Sequence, residues 1–344
     1  MTIVVDSQIP FFVETIHDGW PQVTVLPLRG EDITAAAVRD ADVLVVRTRT
    51  RVDEALLRDS NVRMVCTATI GFDHIDTAYC ESHGIRWMSC PGCNARAVCD
   101  YIEEALNEYH TAQRSNSETV LQPKAVLQRS GLVIGIVGVG HVGSLVAQMA
   151  EKRGMSVLLN DPPKRIGVAL EEIAKQCDII TFHVPLDEST YHLCDASFLA
   201  QCKPGALIIN AARGGVVDEQ ALLRSGHPFI LDTWENEPHI NTAVLDKALL
   251  ASMHIAGYSV EGKKNATQAC LDAISEEFCL PILKCEKKAV PLCRIFNREP
   301  CAREKHRSLA ISGDNAPGWL MRVSEQLKAA PQDFEQLRKQ YKLR

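Results

Sequence analysis

The stretch "LVIGIVGVGHVGSLVAQMAEKRGMSVLLND", residues 132–161, limits the possible folds more than any other. An apolar, β-branched run leads into Gly138, Gly140 and Gly143 in G-x-G-x-x-G spacing. A helical pattern follows, and a second apolar run ends in Asp161. The glycine spacing alone is weak. Set between a strand and a helix, and answered by an acid at the end of the next strand, it is specific. Glycines permit a tight turn and close backbone approach to a pyrophosphate, which sits at the positive end of the helix. A carboxylate at Asp161 suits a ribose diol and repels a 2′-phosphate, so the pattern predicts NAD rather than NADP.

The rest of the chain is consistent with such a unit. Its 344 residues are enough for two domains, with 46% hydrophobic and 23% charged residues. A formal net charge of −6 argues against nucleic acid or an anionic membrane as partner. "MTIVVDSQIP" reads as a strand and turn with no secretory signature, and no run approaches a membrane span. The 13 cysteines are scattered through apolar patterns, as expected of buried thiols in a reducing cytoplasm.

Residues 1–100 alternate strand patterns ("TIVVD", "TVLPL", "DVLVVRT", "RMVCTAT", "IRWMS") with helix patterns ("DITAAAVRDA", "VDEALLRD", "IDTAYCESHG"). That order predicts a parallel sheet. "NARAVCDYIEEALNEYH" reads as a longer helix with Asn94 as N-cap, and 112–130 as an exposed polar connection. A second α/β series runs through "SVLLND", "CDIITFHV", "GALIIN" and "FILDTW". A helical stretch follows Tyr258 to about Lys284. The tail is more polar, with one further helix near "PQDFEQLRKQY".

Three residues near predicted strand ends suit hydride chemistry on a hydroxy acid. Arg213, ahead of a helix capped by Asp218, can grip a carboxylate with two hydrogen bonds and polarise a carbonyl. His254 can take a hydroxyl proton, and Glu237 can orient the ring. Taken singly, each also suits a surface charge, a solvated loop acid or a core histidine. Their position at strand ends beyond a dinucleotide fold favours the functional reading. "VVRTRTRV" places Arg47, Arg49 and Arg51 at alternate positions, on one side of the chain if it stays extended, which would make an anion site. A solvated basic strand edge is the competing reading. The "ATIGFDH" turn near Gly71 offers backbone N–H groups for a second anion contact.

The fingerprints "VVRTRTRV", "CTATIGFDHID", "PGCNARAV", "GIVGVGHVG", "NDPP", "INAARGGVVD", "DTWENEP" and "HIAGYSVEGK" resemble those of the D-2-hydroxyacid dehydrogenase family across nearly the whole chain. The resemblance implies an α/β fold: a Rossmann-type NAD-binding domain (101–257) inserted in a flavodoxin-like substrate domain (1–100 and 258–285). A small C-terminal dimerisation region (286–344) would follow, giving a cytoplasmic homodimer. It implies Arg213, Glu237 and His254 as the catalytic set. It places Asp161, Thr181, Asp232 and Gly257 at NAD, with the glycine loop at Gly138, Gly140, His141, Val142 and Gly143. It places Thr48, Thr67 and Tyr258 at the substrate, beside the expected anion contacts of Arg47, Arg49 and Gly71. No metal is expected. The narrower motifs imply a small phosphorylated hydroxy acid as substrate, oxidised at C2 in the manner of 4-phospho-D-erythronate, a step towards pyridoxal phosphate. A dehydrogenase for another D-2-hydroxy acid, such as 3-phosphoglycerate, is the nearest alternative. An NAD-sensing binding protein on the same fold is the alternative of another class.

The "CPGC" run, Cys90 to Cys93, raises redox and zinc readings. A redox thiol needs a helix N-terminus, which Cys93 meets weakly, and zinc needs a second ligand pair, which is missing. The spacing therefore reads as accidental within a crossing between domains, shaped by Pro91 and Gly92.

Overall fold

The computed structural model describes residues 1–115, 131–285 and 318–341. They fall into two compact units, one of Met1–Asn94 with the segment from Ser259, the other of Ala95–Tyr258 with the terminal helices.

In the first unit, strands β1 (Thr2–Asp6), β2 (Thr24–Leu28), β3 (Val43–Val46), β4 (Met64–Thr67) and β5 (Arg86–Met88) pair in the order β2-β1-β3-β4-β5. All pairings are parallel. This is the flavodoxin-like order, with its reversal between β1 and β3. β3 and β4 are buried at every position, which is why they read as unbroken apolar runs. Phe12, Ile16 and Trp20 cover one face together with Ala266, Cys270, Leu271 and Ile274 of the Val260–Glu277 helix. That helix closes the unit from a distant part of the chain. It ends at Glu277, short of the expected Lys284, and Cys279 adopts a left-handed φ of 52°. Trp20 Nε1 then donates to the Pro281 carbonyl at 2.8 Å.

In the second unit, strands β6 (Val133–Val137), β7 (Ser156–Asp161), β8 (Ile166–Gly167), β9 (Ile179–Phe182), β10 (Leu207–Asn210), β11 (Phe229–Leu231) and β12 (Leu250–Ala251) form a seven-stranded sheet. The order is β12-β11-β10-β9-β6-β7-β8, parallel except for β7 with β8. The reversal falls between β6 and β9, where α/β sheets of this type take their ligand. The Rossmann-type and flavodoxin-like expectations are both met.

Several local expectations are corrected. The helices over "DITAAAVRDA" and "VDEALLRD" are single turns, Ala35–Val38 and Glu54–Leu57, capped by Thr34 and Asp53. Asn94 caps nothing among the described residues: its Oδ1 is buried without a hydrogen-bond partner, although the Ala95–Ser115 helix begins beside it. The tail holds a helix the sequence reading missed, Trp319–Ala329, whose Trp319, Leu320, Val323 and Leu327 are buried in the second unit's core. The expected Phe334–Gln340 helix follows and also packs there through Phe334. The expected connection 112–130 begins later than predicted, since 112–115 continue the Ala95–Ser115 helix, and 116–130 lie outside the described residues, as does the remainder of the expected dimerisation region, 286–317 and 342–344. Among the described residues no helix is long and apolar enough to cross a membrane.

Candidate active site

The glycine loop leaves β6 and enters the His141–Lys152 helix. Each glycine has a distinct reason. Gly138 has φ 92°, and a Cβ there would meet the His183 carbonyl at 2.7 Å. A Cβ on Gly143 would lie 1.9 Å from the Gly138 oxygen. A Cβ on Gly140 would meet nothing within 4 Å, so this position faces open space. Two glycines therefore fold the loop, and the third leaves room for a ligand to approach backbone. His141 is exposed and Val142 half-buried at the start of the helix. Asp161 ends β7, and its Oδ2 accepts from the Val139 N–H at 2.8 Å, joining the acid to the loop. Lys164 donates from Nζ to the Val139 carbonyl at 2.7 Å. These groups fit a dinucleotide: open backbone at a helix N-terminus, with a carboxylate at the neighbouring strand end.

Thr181, buried in β9, hydrogen-bonds the His183 ring at 3.1 Å. Desolvation holds His183 neutral, with its pKa pushed down to about 3, although part of the residue stays accessible. Asp232, at the end of β11, is almost fully buried. Its Oδ1 accepts from Ser252 Oγ (2.6 Å) and Ile255 N–H (2.7 Å), and its Oδ2 from Ala256 N–H (3.0 Å). Its main-chain oxygen accepts from His254 N–H at 2.7 Å. Asp232 thus secures the loop that carries His254 and Gly257. Ser252 is further held by Tyr101 Oη (2.8 Å) and by Trp234 Nε1 on its carbonyl (2.8 Å). Sequence reasoning missed Tyr101, Trp234 and Ser252 as supports, because their positions look like ordinary core.

His254 and Glu237 meet as expected, with Nδ1···Oε2 at 2.9 Å. His254 has φ 57°, a left-handed backbone rare outside glycine, fixed by the Asp232 contacts on either side. The other Glu237 oxygen accepts from the Trp234 N–H at 2.9 Å. Burial alone would raise the Glu237 pKa. The His254 hydrogen bond and charge, the Trp234 amide and the Arg338 charge outweigh it and hold the carboxyl below its ordinary value. Glu237 is therefore ionised at neutral pH, and as an acceptor it keeps a proton on Nδ1.

Arg213 is half-buried in the turn after β10. Asn210 clamps that turn, donating to the Arg213 carbonyl (2.8 Å) and accepting from Ala212 N–H (3.0 Å). The turn lies directly on the Glu237 loop, since a Cβ on Gly214 would sit 1.9 Å from the Trp234 oxygen. A second brace joins the same two segments. Glu235 N–H donates to Glu219 Oε1 (2.7 Å), Glu219 N–H to Glu235 Oε1 (3.4 Å), and His192 Nε2 meets Glu235 Oε1 at 2.8 Å. Burial raises the Glu219 pKa to about 7. Asp218 caps the next helix through the Ala221 N–H, as expected.

In the first unit, β3 stops at Val46 and residues 48–50 turn, so the arginines do not share one side of an extended chain. Arg47 instead pairs with buried Asp6 across the β1/β3 reversal (2.9 Å) and donates to Gln8 (2.6 Å). Arg51 lies 3.7 Å from Asp53, and Arg49 and Thr48 are exposed. Thr67 is buried at the end of β4, hydrogen-bonded to Thr69 (2.6 Å) and His74 (3.0 Å). Thr69 Oγ1 donates to the Gly71 carbonyl at 2.9 Å. Cys90 is buried, 3.3 Å from the Thr67 carbonyl and 3.8 Å from Cys270 Sγ. The Cys270 contact and burial push its thiol well up, and burial lifts Cys93 to about 11, so neither is a reactive thiol.

A strand-end histidine paired with an ionised glutamate, on a unit built to hold a dinucleotide, defines the class as an NAD-linked dehydrogenase of hydroxy acids. Comparisons with known proteins agree. Residues 101–268 match the family described as "D-isomer specific 2-hydroxyacid dehydrogenase, NAD binding domain". Erythronate-4-phosphate dehydrogenase of Bacteroides fragilis is 41% identical, covering 100% of this chain and 97% of its own. That of Ectopseudomonas mendocina is 41% identical over 82% of this chain and 73% of its own. Among solved structures, the NAD-bound 3-phosphoglycerate dehydrogenase of Entamoeba histolytica matches at TM-score 0.66 and 24% identity, over 81% of this chain and 95% of that one. The chain belongs to the erythronate-4-phosphate dehydrogenase family.

Proposed function

We propose that the chain catalyses NAD-dependent oxidation of 4-phospho-D-erythronate to (R)-3-hydroxy-2-oxo-4-phosphooxybutanoate, a step of pyridoxine 5′-phosphate biosynthesis. Likeness to the Bacteroides relatives over the full chain carries the substrate. The 2.9 Å His254–Glu237 pair carries the chemistry. NAD, when bound, accepts the hydride. The chain's residues do the rest. Gly140, His141 and Val142 offer backbone to the pyrophosphate from a loop shaped by Gly138 and Gly143, and Asp161 takes the ribose diol. Thr181, Asp232 and Gly257 complete the cofactor side, Asp232 through the loop it secures. With Nδ1 protonated towards Glu237, His254 has Nε2 to receive the C2 hydroxyl proton, and the ionised glutamate stabilises the imidazolium that forms. Arg213 grips the carboxylate and polarises the nascent ketone. Thr48, Thr67, Arg49, Gly71 and Tyr258 are the proposed substrate contacts. Arg47, already held by Asp6 and Gln8, acts mainly by keeping the β1/β3 strand ends in place.

A homodimer in the cytoplasm completes the proposal. The free thiols of the described cysteines fit a reducing compartment.

The test is NADH formation across a panel of D-2-hydroxy acids, with NAD and NADP. Turnover is expected with 4-phosphoerythronate and NAD. Losing general acid–base help in His254→Ala should cost about 10²–10⁴-fold. Arg213→Lys should weaken substrate binding and slow turnover. Equal rates on phosphorylated and plain acids would refute the phosphate reading. Tight NAD binding with no turnover on any acid would favour a sensor.

A further inference from the structure

The sequence reading left the terminal helix Phe334–Gln340 without a part in the chemistry. Its Arg338 is three-quarters buried, and Nε donates to Tyr258 Oη at 3.1 Å. The guanidinium carbon lies 5.6 Å from the centre of the Tyr258 ring, within cation–π range. Glu335 on the same helix approaches the guanidinium at 3.4 Å. Arg338 and Glu237 are also within electrostatic reach of each other. Among the described residues His254, the hydrogen-bond partner of Glu237, and Glu219 of the brace also act on Glu237, and the charge of Glu219 opposes that of Arg338.

We propose that Arg338 is a positioning residue of this site: it fixes the Tyr258 phenol and supplies a permanent positive charge beside the Glu237–His254 pair. The inference rests on the reading of that pair given above. A phenol oxygen that accepts from a cation becomes a better donor, and its own proton is directed away from the guanidinium. Tyr258 is thereby prepared to donate to an oxygen of an anionic substrate. The same cation favours the deprotonated form of the acid–base pair and complements a substrate carrying carboxylate and phosphate. Arginine suits both tasks, being charged at every working pH and planar enough to lie over a ring while donating along its edge.

The experiment compares Arg338→Met, Arg338→Lys, Tyr258→Phe and the Arg338→Met/Tyr258→Phe pair in the full-length protein. The readouts are KM, kcat, the pH dependence of kcat/KM, melting temperature and NAD affinity by fluorescence. In Arg338→Met, KM should rise roughly tenfold. NAD affinity should hold, and the acid limb of kcat/KM should move to higher pH, because losing a cation lets the pair keep its proton longer. Arg338→Lys should restore the limb through its charge but not the KM, lacking the planar fork. Effects on KM in the double variant should be less than additive, since both substitutions break one hydrogen bond. A lowered melting temperature with unchanged KM and limb in Arg338→Met would overturn the proposal, leaving Arg338 as a helix anchor. Glu237→Gln and His254→Ala separate the two failures. If they retain wild-type turnover, the reading of the pair is wrong. If they lose turnover while Arg338→Met changes only stability, this inference alone fails.

Discussion

The three glycines of the nucleotide loop look alike in sequence and differ in consequence. Gly143→Ala drives a methyl into the Gly138 oxygen, and no flexible side chain can yield there, so both folding and NAD binding should suffer. Gly140→Val points into open space, so the melting temperature without cofactor should stay close to wild type while NAD binding weakens at least tenfold, through bulk at the pyrophosphate. Titrating NAD into both variants by fluorescence, alongside thermal melts, checks the contrast. Unchanged NAD affinity in Gly140→Val would show that the open side of the loop is not where the cofactor lies. The motif was legible because strand, glycines, helix and acid are contiguous. The supports of His254 were not. Asp232, Ser252, Tyr101 and Trp234 are far apart in the chain, and each reads as an ordinary core or strand-end residue until the fold joins them.

At the level of elements, long helices and buried strands were legible, and short or context-made ones were not. The Trp319–Ala329 helix escaped because its apolar stripe sits in a polar tail. What holds it is a partner outside its own sequence. Glu108, on the Ala95–Ser115 helix, is 5% exposed and accepts from the Leu320 N–H at 2.9 Å. Burial raises the Glu108 pKa to about 7. The native protein thus retains a proton between the ordinary carboxyl value and pH 7 that the unfolded chain has released, so stability falls as pH rises through that window. The fall from Glu108 amounts to about 3 kcal/mol at most. Glu219 contributes a fall of the same sign. Glu108→Gln keeps an acceptor for Leu320 but cannot ionise. Urea midpoints at pH 5 and pH 8 should therefore lie closer together than in wild type, though not coincide. An unaltered pH dependence would contradict the account. The one-sided arrangement of the arginine run fails for a related reason: alternation places side chains on one side only while the chain is extended, and β3 ends before the run begins. Among the described cysteines, Cys279 is exposed and should react first with a thiol reagent, while Cys90 and Cys270 should wait for unfolding. Rapid modification of Cys90 in the native state would restore the redox reading.

For the whole molecule, the apolar core divides with the units. One cluster belongs wholly to the nucleotide-binding unit, and two lie on opposite faces of the first unit's sheet. NAD contacts made by one unit should stabilise that unit by mass action, about 2.7 kcal/mol at a hundredfold excess over Kd. Calorimetry with added NAD should move the transition of the nucleotide-binding unit upward by more than that of the other. Equal movement of all the heat absorption would mean that the units melt as one. The sequence predicts, through family-like motifs, one unit inserted in the other. It did not convey which tail segments complete which core, because that depends on packing between residues more than 200 positions apart, such as Leu320 on Glu108.

That nesting has a consequence for a chain emerging from the ribosome. The first 94 residues make a whole five-stranded sheet, yet the helix that covers one of its faces begins only at Val260. The second unit completes its sheet by Ala251 but waits for Trp319, Leu320 and Phe334 to cover its core. Neither unit can therefore be finished while the other is still unmade. Until those later segments are made, each sheet keeps apolar surface that only they cover, a state prone to aggregation.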